Sequence, residues 1–271
     1  MAVARILSIV IISYLFLVAF MYAAQRTMQY FPDKDYPGES KLYGLSQAKE
    51  VKFKAEDEQE LYAWFIEPKE EENIVFVIFH GNAGSLANRA NKARDLSAKG
   101  YGVLLSEYRG YGGIKGKITE DNLYKDARAG IKWLLDNGHK VENLAIYGES
   151  LGSGIATQMA KEFNAKYLIF EGGFSSAIAV AKSVYPYLPV GLLLKDKYDN
   201  LSKIKDINAS LLMLHGAKDM VVNIEIAKEF YEAANHPKQF TEFANGGHVD
   251  LFDYRAADVI DNWIKEQRNA E

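Results

Sequence analysis

Cysteine is absent from this 271-residue chain, which excludes a disulfide framework, a thiol nucleophile and cysteine-ligated metal. A basic surplus is absent too. The formal net charge is −4, so nucleic acid as a partner finds no electrostatic footprint. No internal repeat or low-complexity tract interrupts the chain, which sets aside solenoid architectures. Charge itself is missing from one long stretch, residues 6–24, which holds no Asp, Glu, Lys or Arg. Its length is close to the ~20 residues a helix needs to cross a bilayer. A cleaved signal peptide has a shorter apolar core of about 7–15 residues and small residues at its cleavage site. Here Met21 and Tyr22 occupy the positions before Ala23 and Ala24 where small residues would be required. Residues 1–25 therefore read as a single-pass transmembrane anchor. Arg5 and Arg26 flank it on opposite sides, and the expectation is an amino terminus inside and a following domain on the non-cytoplasmic side.

Beyond the anchor, residues 26–48 read as a linker, extended over 33–46, where Pro37, Gly38 and Gly44 fall. A domain is expected over residues 49–271. It opens with two strands, 49–55 and 60–67, joined by the charged turn Glu56-Asp57-Glu58. The continuous apolar run 74–79 is of the kind buried in a parallel sheet. From there helix and strand alternate. The pattern predicts helices at 86–99 and 120–137, strands at 102–106, 143–147 and 166–170, a helix starting at Ser150, further strands at 211–214 and 239–243, and an amphipathic helix at 256–265. Such alternation implies a mainly parallel sheet with helices on both faces. Residues 172–207 break the rhythm. Placed after a strand's carboxyl end, an insertion there would overhang the sheet as a cap, and its Pro-, Tyr- and Leu-rich part, 184–194, suits an apolar acyl-binding surface.

The chemistry concentrates in Gly148-Glu149-Ser150-Leu151-Gly152, lying between strand 143–147 and a helix of small residues. This is the G-x-S-x-G nucleophile elbow in its expected context. A serine at the tip of a sharp strand-to-helix turn needs glycines two positions to either side, because side chains there would collide with neighbouring chain. Serine is a poor nucleophile unless a histidine takes its proton and a carboxylate orients that histidine. His248 follows strand 239–243 and the loop Asn245-Gly246-Gly247, and is the candidate base. His215, ending an apolar run, is expected to pack or hydrogen-bond structurally, and His236, before Pro237, to lie on the surface. Asp219, just past strand 211–214, is the candidate acid, because open α/β sheets gather active groups at the carboxyl ends of strands. Asp250 is an alternative, whereas Asp196, Asp199 and Asp206 read as solvated or capping residues. An oxyanion would be held by the N–H groups of Leu151 and of Asn82, the latter in His80-Gly81-Asn82-Ala83-Gly84. No Lys-Ser or Lys-Thr follows that loop, which disfavours a phosphate cradle. His80 is expected to support the loop rather than act as a base.

Together these motifs resemble the α/β-hydrolase superfamily from about residue 50 onwards. Arg26 to Pro32 after an anchor, His80 to Gly84, and Tyr108-Arg109-Gly110-Tyr111-Gly112 are similar to the single-pass, membrane-anchored α/β-hydrolase-domain proteins. Some eukaryotic members of that branch remove palmitoyl groups from protein cysteines. Glu107 stands where many relatives have aspartate, and the cap is short. The resemblance implies an α/β-hydrolase fold and a serine esterase or thioesterase acting on lipid-like or acylated substrates, with no metal or organic cofactor. A serine peptidase of the same fold and a membrane-tethered, non-catalytic binding module remain the alternatives.

Overall fold

The computed structural model describes residues 1–70 and 73–270. The charge-free stretch forms one long helix, α1 (Ala2–Gln29), which is long and apolar enough to cross a membrane. It runs past the expected limit at residue 25 and ends at the domain surface, where Arg26 pairs with Asp196 at 2.7 Å. Residues 30–48 are not a free linker. Tyr30, Ser40 and Leu45 are buried, and β1 (Phe31–Pro32) pairs in parallel with β5 (Ala83–Gly84) in a small separate sheet.

The main sheet is built from β2 (Lys49–Lys54), β3 (Glu60–Ile66), β4 (Val75–Phe79), β6 (Gly102–Ser106), β7 (Leu144–Glu149), β8 (Tyr167–Glu171), β9 (Ser210–Gly216) and β10 (Lys238–Phe243). Its spatial order is β10-β9-β8-β7-β4-β6-β3-β2. The β2–β3 and β3–β6 pairs are antiparallel and the others parallel. The apolar run of β4 serves both faces, as a period of two requires. Val75, Val77 and Phe79 join the core under α3 (Glu120–Asp136), α4 (Gly152–Phe163) and α8 (Ile224–Ala233), while Phe76 and Ile78 join the core under α2 (Ala90–Ala98) and α9 (Ala256–Asn269). Helix α3 starts where the Thr119 hydroxyl accepts from the Asn122 N–H, with Glu120 and Asp121 in its first turn. The expected helix from residue 86 opens as a 3-10 turn, Leu86–Arg89, before α2 begins.

The interruption expected at 172–207 consists of three short helices, α5 (Ala177–Val184), α6 (Val190–Leu193) and α7 (Leu201–Ile204). Asp196 within it, expected to be solvated or capping, is not solvated. It is 3% exposed, holds Arg26 through both carboxylate oxygens and accepts the Glu120 N–H at the start of α3. Asp199 accepts the Ser202 N–H in the first turn of α7, and Asp206 makes an exposed pair with Lys161.

Candidate active site

Strand β7 ends at Glu149 and α4 begins at Gly152, two residues later than expected, so Ser150 lies in the turn itself and not in the helix. Its φ is 49°, a left-handed conformation that costs a non-glycine residue roughly 1–3 kcal/mol and persists only where surroundings over-determine it. They do so here. The Ser150 N–H donates to the Glu171 carbonyl at 2.8 Å, and its own carbonyl accepts from the Ser153 N–H at 2.8 Å. A Cβ on Gly148 would come within 2.6 Å of the Gly152 carbonyl, which is why this tight turn needs glycine.

Three side chains from three strand ends then form a hydrogen-bonded row. Ser150 Oγ is 2.7 Å from His248 Nε2, and His248 Nδ1 is 2.7 Å from Asp219 Oδ2. The second Asp219 oxygen accepts from the N–H groups of Val221 and Val222 at 2.8 and 2.9 Å. Burial alone would raise the Asp219 pKa, but the hydrogen bond and charge of His248 and these amides outweigh it, so the carboxyl lies below its usual value. An ionised carboxylate only accepts, which puts the imidazole proton on Nδ1 and leaves Nε2 to accept from the serine. The His248 ring rests against Gly172, whose φ is +61° and where a Cβ would sit 3.0 Å from Cε1 and Nδ1.

The loop facing Ser150 is fixed from below. His80 is fully buried and its Nε2 is 2.8 Å from Glu107 Oε1, whose other oxygen accepts the Leu86 N–H. Tyr108 stacks on the His80 ring, with centroids 4.2 Å apart, and the Tyr111 hydroxyl donates to the Asn82 carbonyl at 3.0 Å. The Tyr108–Gly112 motif thereby acts as the floor of the His80–Gly84 loop. The Asn82 side chain donates to the Gln29 carbonyl. The backbone N–H groups of Asn82 and Leu151 donate to no group among the described residues. Beside the elbow, Arg89 and Lys92 are buried against Glu149 at 2.5 and 2.7 Å. Lys92 also pairs with Glu171, which Tyr147 contacts in turn. Burial opposes the Lys92 charge, yet the two carboxylates more than restore it; Glu149 is likewise depressed by Lys92 and Arg89 in spite of its burial.

An apolar cavity of about 280 Å³ opens over Ser150, Leu151 and Asn82. Its walls include Met21 and Met28 from α1, Phe174, and Leu188, Val190 and Leu193 from the cap. His215 packs in the interior with neither ring nitrogen hydrogen-bonded, 3.7 Å from Asp219, and burial holds its pKa below the ordinary value. His236 lies exposed on the surface. Asp250 accepts from the Gly247 N–H at 2.7 Å and so shapes the histidine loop from outside. Three features had no counterpart in the sequence reading: Gly172 behind the imidazole, the buried ion cluster around Glu149, and the share of α1 in the cavity wall. Only the second left a trace, in a glutamate standing inside an otherwise apolar strand end.

Comparison with known proteins adds the lineage. A family model described as the alpha/beta hydrolase fold matches residues 74–178. An uncharacterized protein of Mycobacterium tuberculosis is 31% identical over 92% of this chain and 90% of its own length. The alpha/beta hydrolase domain-containing protein WAV2 of Arabidopsis thaliana is 28% identical over 87% of this chain and 84% of its own. Among solved structures, the Pyrococcus furiosus esterase Pf2001 matches with a TM-score of 0.70 at 22% identity, covering 88% of this chain and 97% of that one, and so shares the fold. By this sequence likeness over nearly its whole length, and by its sheet order, the chain belongs to the α/β-hydrolase family, and that membership supports hydrolase activity.

Proposed function

We propose that the protein is a serine hydrolase cleaving carboxylic ester or thioester bonds of lipid-like or acylated substrates through an acyl-serine intermediate. The observation that carries this reading is the continuous row from Ser150 Oγ through His248 to Asp219, with 2.7 Å at each step, beneath an apolar cavity. In the reaction, His248 Nε2 takes the Ser150 proton as Oγ attacks the carbonyl carbon. The tetrahedral oxyanion accepts from the Leu151 and Asn82 N–H groups. Collapse expels the alcohol or thiol, protonated by His248, and water activated by the same imidazole hydrolyses the acyl-serine. Asp219 keeps the imidazole in the required tautomer and stabilises its cation. Neither a metal nor an organic cofactor enters these steps.

The apolar walls favour an acyl chain over a peptide backbone, which would bring polar groups that such walls leave unpaired. The anchor over residues 1–25 would hold the domain at a membrane, on its non-cytoplasmic side; protease protection in sealed vesicles reads that side directly. Covalent labelling by a fluorophosphonate probe, with Ser150→Ala as control, tests the nucleophile. Labelling lost in the variant is expected, and a folded wild-type protein that takes no label would sink the reading. Esters of rising chain length then test the pocket. A preference fixed at acetyl, or turnover of free peptides in their place, would reassign the substrate.

A further inference from the structure

The cap does not merely cover the cavity; it climbs the anchor. At the base, Gln25 bonds the Leu193 carbonyl and the Lys195 N–H at 3.1 and 2.7 Å, and Arg26 holds Asp196. The Lys195 ammonium lies 4.1 Å from the centre of the Tyr22 ring. Farther up, the Tyr14 hydroxyl donates to the Tyr187 carbonyl at 2.9 Å. At ~1.5 Å of rise per residue, Tyr14 stands about 12 Å along α1 beyond Tyr22. If the part of α1 level with the cap were in water, only residues 6–13 of the charge-free stretch would remain for the membrane. That is about 12 Å of helix, against a hydrocarbon core of about 30 Å. Anchor and cap tip therefore cannot both keep their observed contacts unless the tip enters the bilayer.

The tip is built for that place. No charged side chain occurs between Lys182 and Lys195, and lysines at the edges of an apolar segment keep their heads at the interface. Val184, Tyr187 and Leu192 are 55%, 59% and 88% exposed, a poor arrangement in water and a favourable one in lipid. Backbone N–H groups in hydrocarbon need partners. Here Pro186 and Pro189 have none to satisfy, and those of Tyr185, Leu188, Val190, Leu192, Leu193 and Leu194 are bonded within the segment or to Ala181, leaving those of Tyr187 and Gly191 without a partner among the described residues.

We infer that residues 184–194 are embedded in one leaflet beside α1, with acyl chains of the bilayer as the occupant of their exposed face. This placement rests on the proposed anchoring of α1. It deepens the proposed function, because Met21, Leu188 and Leu193 wall the cavity at that depth. The substrate class is then an acylated amphiphile dissolved in the leaflet, whose chain reaches Ser150 without crossing water.

The cysteine-free chain allows single nitroxide labels on the full-length protein in phosphatidylcholine vesicles. Leu192→Cys, Phe16→Cys in the anchor and Glu142→Cys at the opposite end of β7 would be compared. The label at 192 should match that at 16, with an oxygen to nickel-chelate accessibility ratio several-fold above that at 142. A label at 192 as open to the nickel chelate as that at 142 would overturn the placement. This depth readout needs no turnover, so it stands apart from the proposed reaction. For the substrate route, Leu192→Asp, which lies outside the cavity wall, should lower turnover of a vesicle-dissolved long-chain ester more than tenfold and leave a water-soluble short ester unchanged. An equal effect on both, or on neither, would overturn it.

Discussion

Ser150 is held in a left-handed turn by hydrogen bonds from both sides, so its Oγ is aimed before any substrate arrives. Loss of the base should be nearly complete: His248→Ala is expected to lower kcat by roughly 10⁴–10⁶-fold, read by ester hydrolysis at saturating substrate. Asp219→Asn keeps the geometry but favours the wrong imidazole tautomer, for an expected loss of about 10³–10⁴-fold. Full activity in that variant would move the acid to Asp250. Gly172→Ala tests the space behind the imidazole. Its Cβ, 3.0 Å from the ring and strained at φ +61°, should displace His248 and lower kcat with KM little changed, and an unaltered kcat would show that the ring can yield. That Ser150, His248 and Asp219 come together was legible because each stands next to a strand end and carries chemistry that spacing can rank. Gly172 was not, since its reason is a ring supplied by a loop distant in sequence. The reading of Asp196 as a solvated or capping residue missed its burial and its ion pair for the same cause: its neighbours are polar, and its partner Arg26 lies at the other end of the chain.

Among the elements, β4, β6, β7 and β8 announced themselves as apolar runs because strands buried on both faces carry no alternation to obscure them. Helix α8 had no counterpart in that reading, and α1 passed its expected end because Gln25 and Arg26 are anchored by the cap, a tertiary contact that propensity does not contain. The ion cluster joining α2 to the ends of β7 and β8 was invisible for similar reasons. Lys92 lies between Glu149 and Glu171 with almost no exposure. Replacing it with methionine would leave Glu171 without its lysine and Glu149 with Arg89 alone, and breaking a buried pair in this way costs about 3–5 kcal/mol. The pH dependence has a definite sign. In the variant Glu149 would lose part of the attraction that depresses it, so its folded-state pKa would lie above the wild-type one and the deficit relative to wild type should shrink as pH falls through and below the ordinary glutamate range. Chemical denaturation across that range measures it, and a deficit that grows on acidification would contradict the account. In the wild type Glu149 is depressed instead, so its contribution is present above the ordinary glutamate pKa and is lost as pH drops below it.

Across the whole molecule, one polar junction decides how the anchor and the cap are held together. Arg26 gives Asp196 two charge-assisted hydrogen bonds, Gln25 bridges Leu193 and Lys195, and Gln29 donates to the Asp196 carbonyl. The same carboxylate fixes the start of α3 through the Glu120 N–H. The long apolar helix α1, the cap that walls the cavity and the helical layer of the domain thus share one buried carboxylate. Arg26→Ala would leave that anion with one backbone donor, a loss of about 1.5–3 kcal/mol for hydrogen bonds to a charged group. Because the sheet under Ser150 is tied by its own ladder and by the Glu149 cluster, the loosening should stay local. Hydrogen exchange on the full-length protein in vesicles should quicken across residues 177–195 and leave β7 and β8 protected. Faster exchange spread evenly through the sheet would instead make Arg26 a support of the entire fold, and unchanged exchange in the cap would mean that Gln25 and Tyr14 suffice to hold it against the anchor.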